Sequence, residues 1–275
     1  MTSVVAWLSR ETIPGIWAVA DSRITGAHGQ PLVDVAPKLF ELPIIVRIPG
    51  TQGFFSERSY EARVGFGFSG DAFVGLAVAE LGRTVLGNLI HQQPRVVPSL
   101  HDVGLALGHI ARAIFEPLRD RHAGGDFEAI LFGWCPQVQR LQIIRIAEEP
   151  ALSGIVRCEV LDSDDPTHML LAIGSDPSAV RDEIRQYRDS VDLESISWWR
   201  APRFVLGSRI LAEVDPLIGG WISTVIANGP HTQSFVDVVP RVYGEPEASV
   251  RLGGLDIANI VNNVGPCGVG LTGLA

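Results

Sequence analysis

Apolar residues come in two short runs at the start of the chain, SVVAWL at 3–8 and GIWAVAD at 15–21. Both are rich in β-branched and aromatic residues, and a turn holding Pro14 and Gly15 separates them, so the pattern predicts an N-terminal β-hairpin. LVDVAPKLF at 32–40 and EARVGFGF at 61–68 predict two further strands, with the Gly/Pro-punctuated stretch IPGTQGFFSERS between them as a loop.

The period then changes. Phe73, Ala77, Leu81, Val85 and Leu89 fall four apart, the apolar stripe of a helix over 71–91. Val103, Leu107, Ile110, Ile114 and Leu118 predict a second helix over 100–121, opened by Ser99 as N-cap with Asp102 in the first turn. The short connection containing Pro94 and Pro98 makes the two an antiparallel pair. Strands are expected again at 127–134, 139–147, 156–161 and 168–173, helices at 177–190 and 203–214, and strands at 221–228 and 233–239. Blocks of strands separated by paired helices argue for an α+β fold. The expected form is a four-layer αββα sandwich, two antiparallel sheets between helix pairs, rather than a regular βαβ alternation. No composition shift marks a linker, so one domain is expected over 2–243. The Gly-rich stretch 244–275 is set apart as an unassigned extension.

Composition narrows the function. In 275 residues, 46% are hydrophobic and 19% charged, as in a packed globular protein. The net charge of −9 argues against affinity built on neutralising phosphates, so nucleic acid is not an expected partner. No basic start precedes an apolar run of signal length, and no apolar stretch reaches the ~18 residues of a membrane span. A cytoplasmic protein without a membrane partner is expected. Cys135, Cys158 and Cys267 are too few and too scattered for a disulfide framework or a zinc site. His101, His109 and His122 lack convergent ligand spacing and read as surface or helix-packing residues, so neither metal nor cofactor is expected. Trp198 and Trp199 read either as an exposed subunit contact or as partly buried core.

GFGFSG, Gly65 to Gly70, satisfies G-x-G-x-x-G between a predicted strand and a predicted helix. Two features oppose a dinucleotide site. No Asp or Glu occurs from Leu81 to His101, where the fingerprint wants a ribose ligand, and a second helix follows where a parallel strand should. Asp71 at the helix start would also repel a phosphate.

Two residues carry more. Thr2 directly follows Met1, and removal of an initiator methionine is favoured before a small residue. Thr2 would then hold a hydroxyl nucleophile and a free α-amine, whose ordinary pKa of ~7.7–8.0 suits a general base at neutral pH. Lys38 is the only lysine among 22 basic residues. Arginine stays charged under ordinary conditions, whereas a lysine amine can be shifted until it exchanges protons.

MTSVVAW, AVADSR and PKLF together resemble the start of a proteasome β-type subunit, a threonine N-terminal-nucleophile hydrolase, and are most similar to small bacterial proteasome-like homologues. The resemblance implies Thr2 as nucleophile and base, Lys38 as the lysine beside it and Asp21 as the carboxylate orienting that lysine. HMLLAIGSD implies Ser175 as a partner of the Thr2 amine, and AEVDPLIGGWISTVI implies Asp215 in the same network. FSGDAF implies a backbone N–H for the oxyanion, from Gly70 or, in a shifted alignment, Gly67. The family's second serine falls at Ile218, and the chain is longer than a typical subunit near 43–60 and at its end. What the resemblance implies is a peptidase acting through an acyl-enzyme on peptide or unfolded polypeptide, enclosed in a homo-oligomeric ring. The alternatives are a noncatalytic scaffold subunit and a small-molecule amidase of the same fold.

Overall fold

The computed structural model describes residues 2–26, 29–119, 127–148, 156–213, 215–239, 249–261, 263–264, 266–270 and 272–274. The N-terminal hairpin forms from β1 (Ser3–Ser9) and β2 (Gly15–Ala20), paired from Val4–Ala20 to Ser9–Gly15. Both strands are apolar nearly throughout because both of their faces are covered.

A small ribbon follows, β3 (Ile24–Thr25) with β4 (Pro31–Val33). The strand expected over 32–40 does not form as one piece. Pro37 cannot donate to a ladder and restrains the residue before it, so pairing restarts only at β5 (Leu39–Ile48). Lys38 therefore stands just ahead of a strand. β5 turns back into β6 (Glu57–Gly70); residues 49–56 connect the strands as the expected loop, and only its ends, Ile48 and Glu57–Ser59, belong to the strands.

Next come α1 (Ala72–Leu86), β7 (Leu89–Ile90), α2 (Leu100–Arg119), β8 (Phe127–Cys135), β9 (Arg140–Glu148), β10 (Val156–Leu161) and β11 (Leu170–Gly174). The chain continues with α3 (Pro177–Asp189), α4 (Ile196–Trp199), α5 (Ala201–Leu211), β12 (Ser223–Asn228) and β13 (His231–Val239). The last stretch holds β14 (Ser249–Leu252), β15 (Leu255–Asp256), α6 (Ile257–Ile260), β16 (Asn263–Val264), β17 (Cys267–Gly268) and β18 (Gly273–Leu274). The domain boundary expected at 243/244 lies outside the described residues.

One sheet runs β11-β1-β2-β12-β13-β14-β15, with β18 parallel to β13; the other runs β10-β9-β8-β6-β5-β7, with β7 parallel to β5. The expected four-layer αββα sandwich of two antiparallel sheets is corrected by this. Strand outweighs helix, 40% to 27%, the sheets carry parallel pairings, and one sheet curls into a half-barrel. The cause lies partly in the segment left unassigned, whose short strands extend the first sheet past β13. Local periodicity could not place them, because each is too short to show a period.

Three apolar clusters hold the fold. One packs α1 and α2 on the second sheet through Val74, Val78, Leu107, Phe66, Phe68 and Leu131. Another lies between the sheets, with Val4, Ala6, Ala18, Leu39, Ile130 and Phe132. The third packs α3 and α5 on the first sheet around Val5, Trp7, Trp17, Val180 and Leu206. Ile218 is buried in that third cluster. Trp198 and Trp199 are buried too, edge to face at 4.7 Å, with the Arg188 guanidinium over Trp198, which decides against the exposed-contact reading.

The stripe that identified α1 is not the stripe it buries. Val74, Val78, Gly82 and Leu86 face the sheet, while Phe73, Leu81 and Val85 are exposed. Both stripes have four-residue spacing; small residues decide between them. A Cβ on Gly75 would stand 2.1 Å from the Phe68 ring and one on Gly82 2.5 Å from Leu107. Only that side of α1 lets the helix approach so closely. GFGFSG lies inside β6, paired on both sides, and the Asp71 side chain itself accepts the N–H groups of Phe73 and Val74 at the start of α1. The helix N-terminus is thus capped by its own carboxylate.

Candidate active site

Alternation along β1 sends Val4 and Ala6 into the space between the sheets and Val5 and Trp7 to the helix-covered side. Thr2 continues the register. Ser3 pairs with Gly174, and the Ser175 N–H donates to the Thr2 carbonyl at 2.9 Å. The Thr2 side chain therefore shares the face of Val4 and looks across at the second sheet. From that sheet the Ser69 hydroxyl donates to the same carbonyl at 3.3 Å. Thr2 is only 4% exposed. Met1, on whose removal the reading of Thr2 depends, lies outside the described residues.

Asp21 follows directly on β2 and is fully buried. Its Oδ1 accepts the Ser3 N–H at 2.9 Å. Its Oδ2 accepts from Lys38 Nζ at 3.0 Å and from the N–H groups of Arg23 and Gly219, each at 3.2 Å. Lys38 Nζ also donates to the Arg23 carbonyl and is 1% exposed. One carboxylate thus joins the residue after Thr2, the sole lysine and the segment leading to β12. Burial lowers the Lys38 pKa from its ordinary 10.5, opposed by the charge and hydrogen bond of Asp21. The carboxylate is the better-supported member, since three backbone N–H groups point at it.

Around this pair the chain is tied down. Arg23 Nε is 2.6 Å from Asp34 Oδ1, and the Asp34 carboxyl is held below its ordinary 3.8, first by that hydrogen bond. The Ser22 hydroxyl donates to the Asp34 carbonyl at 2.6 Å and accepts the Trp221 N–H at 2.7 Å.

The other expected residues divide. Ser175 is brought to Thr2, and its buried Oγ has no hydrogen-bond partner among the described residues, like the Oγ of Ser3. Asp215 makes a local bond, its Oδ1 accepting the Leu217 N–H at 2.9 Å and closing its own turn. That turn presents Gly219 to Asp21, so the residue acts at one remove. Gly70 ends β6 at φ +99°, next to Ser69. The Phe68 N–H to Lys38 carbonyl bond sets the phase of the β5–β6 ladder. Residues 66 and 68 turn their main-chain groups to β5 and residue 67 turns to β8, so the Gly67 N–H is in the ladder. By the same phase Gly70 points past the start of β5.

Sequence reasoning missed Ser69, Gly174 and Gly219. Gly174 sits at φ +101°, and a Cβ there would lie 1.7 Å from the Thr2 carbonyl oxygen, so no other residue fits. The signal for it was the glycine of AIGSD. Nothing in FSGDAF distinguished the serine from its neighbours. Among the described residues no group of three or more His, Cys, Asp or Glu side chains is placed to hold a metal, and no helix is long and apolar enough to cross a membrane.

No protein-family model matches the chain, and no curated protein does. Solved structures do. An Anbu (Gly-1) mutant from Hyphomicrobium sp. strain MC1 aligns over 82% of this chain and 81% of its own, with 17% identity and a TM-score of 0.52. The helical assembly of the Anbu complex from Pseudomonas aeruginosa aligns over 90% and 88%, at 13% and 0.56. Anbu, described as an ancestral beta-subunit, from Yersinia bercovieri aligns over 82% and 81%, at 16% and 0.52. The resemblance to proteasome β-type threonine peptidases is corrected by these matches, since Anbu proteins are proteasome-like but a distinct family. At 13–17% identity the likeness shows a fold shared with Anbu proteins, and the chemistry of this chain rests on its own residues.

Proposed function

We propose that this chain hydrolyses amide bonds through an ester formed on Thr2, once Met1 has been removed. The observation that carries the reading is the Asp21 carboxylate, whose two oxygens hold the Ser3 N–H and the buried Lys38 amine within one hydrogen-bonded unit. A buried lysine whose pKa burial depresses is suited to exchanging protons, and Asp21 ties it to Ser3, the residue next to Thr2. The Ser175 hydroxyl, unpartnered among the described residues, adds support, being a hydrogen-bonding group on the residue whose N–H already holds the Thr2 carbonyl.

In this reading the Thr2 α-amine takes the proton of the Thr2 hydroxyl, and the oxygen attacks the substrate carbonyl carbon. Lys38 favours the alkoxide-like oxygen in that step, and Asp21 holds Lys38 in place. The Gly70 N–H donates to the oxyanion of the tetrahedral intermediate. As the C–N bond breaks, the α-amine returns its proton to the leaving nitrogen. Water then cleaves the ester with the same amine as base, restoring Thr2. Asp215 shapes the turn that presents Gly219 and does not touch substrate.

The Pseudomonas aeruginosa neighbour is described as a helical assembly, and by that analogy this chain is expected to associate with itself; light scattering should find a homo-oligomer at micromolar concentration. The deciding experiment for the chemistry is intact mass before and after an epoxyketone probe, which needs both hydroxyl and free amine. The expected result is a chain lacking Met1 that gains one probe, with no gain in Thr2→Ala. A chain that retains Met1 and takes up no probe removes the hydrolase reading and leaves the noncatalytic scaffold.

A further inference from the structure

The space between the sheets opens beside the Asp21–Lys38 pair, where Ser223 pairs with Ala20 and Leu39 follows Lys38. There, between β5 and β13, lies a cleft of about 1170 Å³, somewhat larger than small-molecule binding sites, about 300–1000 Å³. Leu39, Glu41 and Pro43 reach it from β5, Ser223 and Val225 from β12, and Ser234 from β13. These positions are where the large apolar residues of the inter-sheet cluster give way to small or polar ones. Leu252 and Leu255 form part of the outer wall.

Two observations ask for an occupant. The Ser223 Oγ is buried without a hydrogen-bond partner, and alternation with Val225 and Ala227 of the inter-sheet cluster aims it into the cleft. The second is a strand edge. By the ladder phase set at Lys38 and Phe68, Leu39, Glu41 and Pro43 turn their main-chain groups away from β6. β7 covers that edge only at Val46 and Arg47. The N–H groups of Leu39 and Glu41 and the carbonyls of all three point out of the open edge of β5, beside the cleft their side chains line, with no partner among the described residues. The facing edge differs: the Ser234 N–H on β13 is taken by Glu41 Oε1 at 2.6 Å, whose other oxygen holds Arg63 at 2.8 Å.

We propose that the cleft binds a polypeptide in extended conformation, which adds as a strand to the open edge of β5 at residues 39–43. Main-chain bonds would hold it, and alternate side chains would enter the cleft between Leu39 and Val225. Of the two arginines lining the cleft, Arg63 is held by Glu41 at 2.8 Å, while Arg83 is half-exposed and only 3.6 Å from the exposed Glu80, so Arg83 is the cation left to favour an acidic side chain. Pro37 and Leu39 bracket Lys38, so a chain lying there runs toward the reaction centre. This makes the substrate of the proposed hydrolase a polypeptide rather than a small amide. That last step rests on the hydrolase reading; the binding does not.

The test uses the full chain carrying Thr2→Ala and a fluorescein-labelled, N-acetylated hexapeptide of alternating valine and glutamate, followed by anisotropy. Saturable binding of one peptide per chain is expected. Methylating alternate peptide amides should weaken it about tenfold or more, and Ser223→Phe, which fills the cleft, by a similar factor. Arg83→Glu, on an exposed side chain, should weaken it about threefold and decides the matter if Ser223→Phe does not fold. No saturation by about 1 mM, equal affinity for the methylated peptide, or variants that bind as the parent does would each overturn the proposal. Epoxyketone labelling without peptide binding would remove the cleft and keep the hydrolase; peptide binding without labelling would do the reverse.

Discussion

Two neighbouring regions of the inter-sheet space treat polar groups in opposite ways. Around Thr2, Asp21 receives four donors and Lys38 two acceptors, all inside the fold. At the cleft, the main-chain groups of β5 and the Ser223 hydroxyl find no partner among the described residues. Polar groups in the first place are committed to each other, which fixes geometry at the cost of desolvation. In the second they are held in reserve for something outside the chain. Reaction chemistry needs the first arrangement and recognition the second.

The largest effect expected from breaking the Thr2 region is kinetic. Lys38→Arg keeps the charge but cannot release a proton, and turnover of a fluorogenic amide should fall about a thousandfold. Retained turnover would take Lys38 out of the chemistry. Next, Asp21→Ala strands a buried cation and should destabilise the chain by about 3–5 kcal/mol in urea unfolding. The double variant Asp21→Ala with Lys38→Met should recover most of that loss, because no charge is left behind. If the double is as unstable as the single, the loss comes from the three backbone N–H groups instead.

Gly174→Ala tests whether β1 must stay against β11. With a Cβ 1.7 Å from the Thr2 oxygen and φ at +101°, it should cost about 1–3 kcal/mol and lower turnover while leaving peptide binding at β5 intact. The pH dependence separates the two regions further. The Lys38 pKa is lowered below 10.5 in the folded chain. Between that lowered value and 10.5 the unfolded chain therefore holds a proton the folded one lacks. Stability should rise with pH through this window, by at most about 1.4 kcal/mol per pH unit, and Lys38→Met should flatten the slope. The smallest effect belongs to Asp34→Asn. Its pairing with Arg23 depresses the carboxyl pKa, so its contribution is present above 3.8 and lost as pH falls through the lower folded value. Asp34 is half-exposed, and solvent screening should keep the loss within about 1 kcal/mol.

Thr2 and Lys38 are marked by position and residue type, whereas Asp21 is singled out only through the resemblance, since an acidic residue at a strand end is ordinary; the structure buries Lys38 against Asp21. Asp215 is placed in the amine network through the resemblance of AEVDPLIGGWISTVI. Its carboxylate also accepts the Leu217 N–H in the turn that delivers the Gly219 N–H to Asp21, a use visible only once residues 21 and 219 are adjacent. Gly70 is preferred to Gly67 on alignment alone; the phase of the ladder adds a physical reason, since it turns the Gly67 N–H toward β8.

What the amino-acid sequence determined by itself was local: the N-terminal hairpin, the position of most strands and helices, and the supply of one nucleophile, one amine and one carboxylate. It could not determine which of two equally spaced stripes α1 buries, since that depends on Phe68 and Leu107 meeting Gly75 and Gly82. Nor could it determine that the strands after residue 244 extend the first sheet, or that β5 keeps an open edge. Periodicity is a property of a few consecutive residues, whereas burial, sheet order and the depressed pKa of Lys38 arise from residues far apart in the chain excluding water from one another.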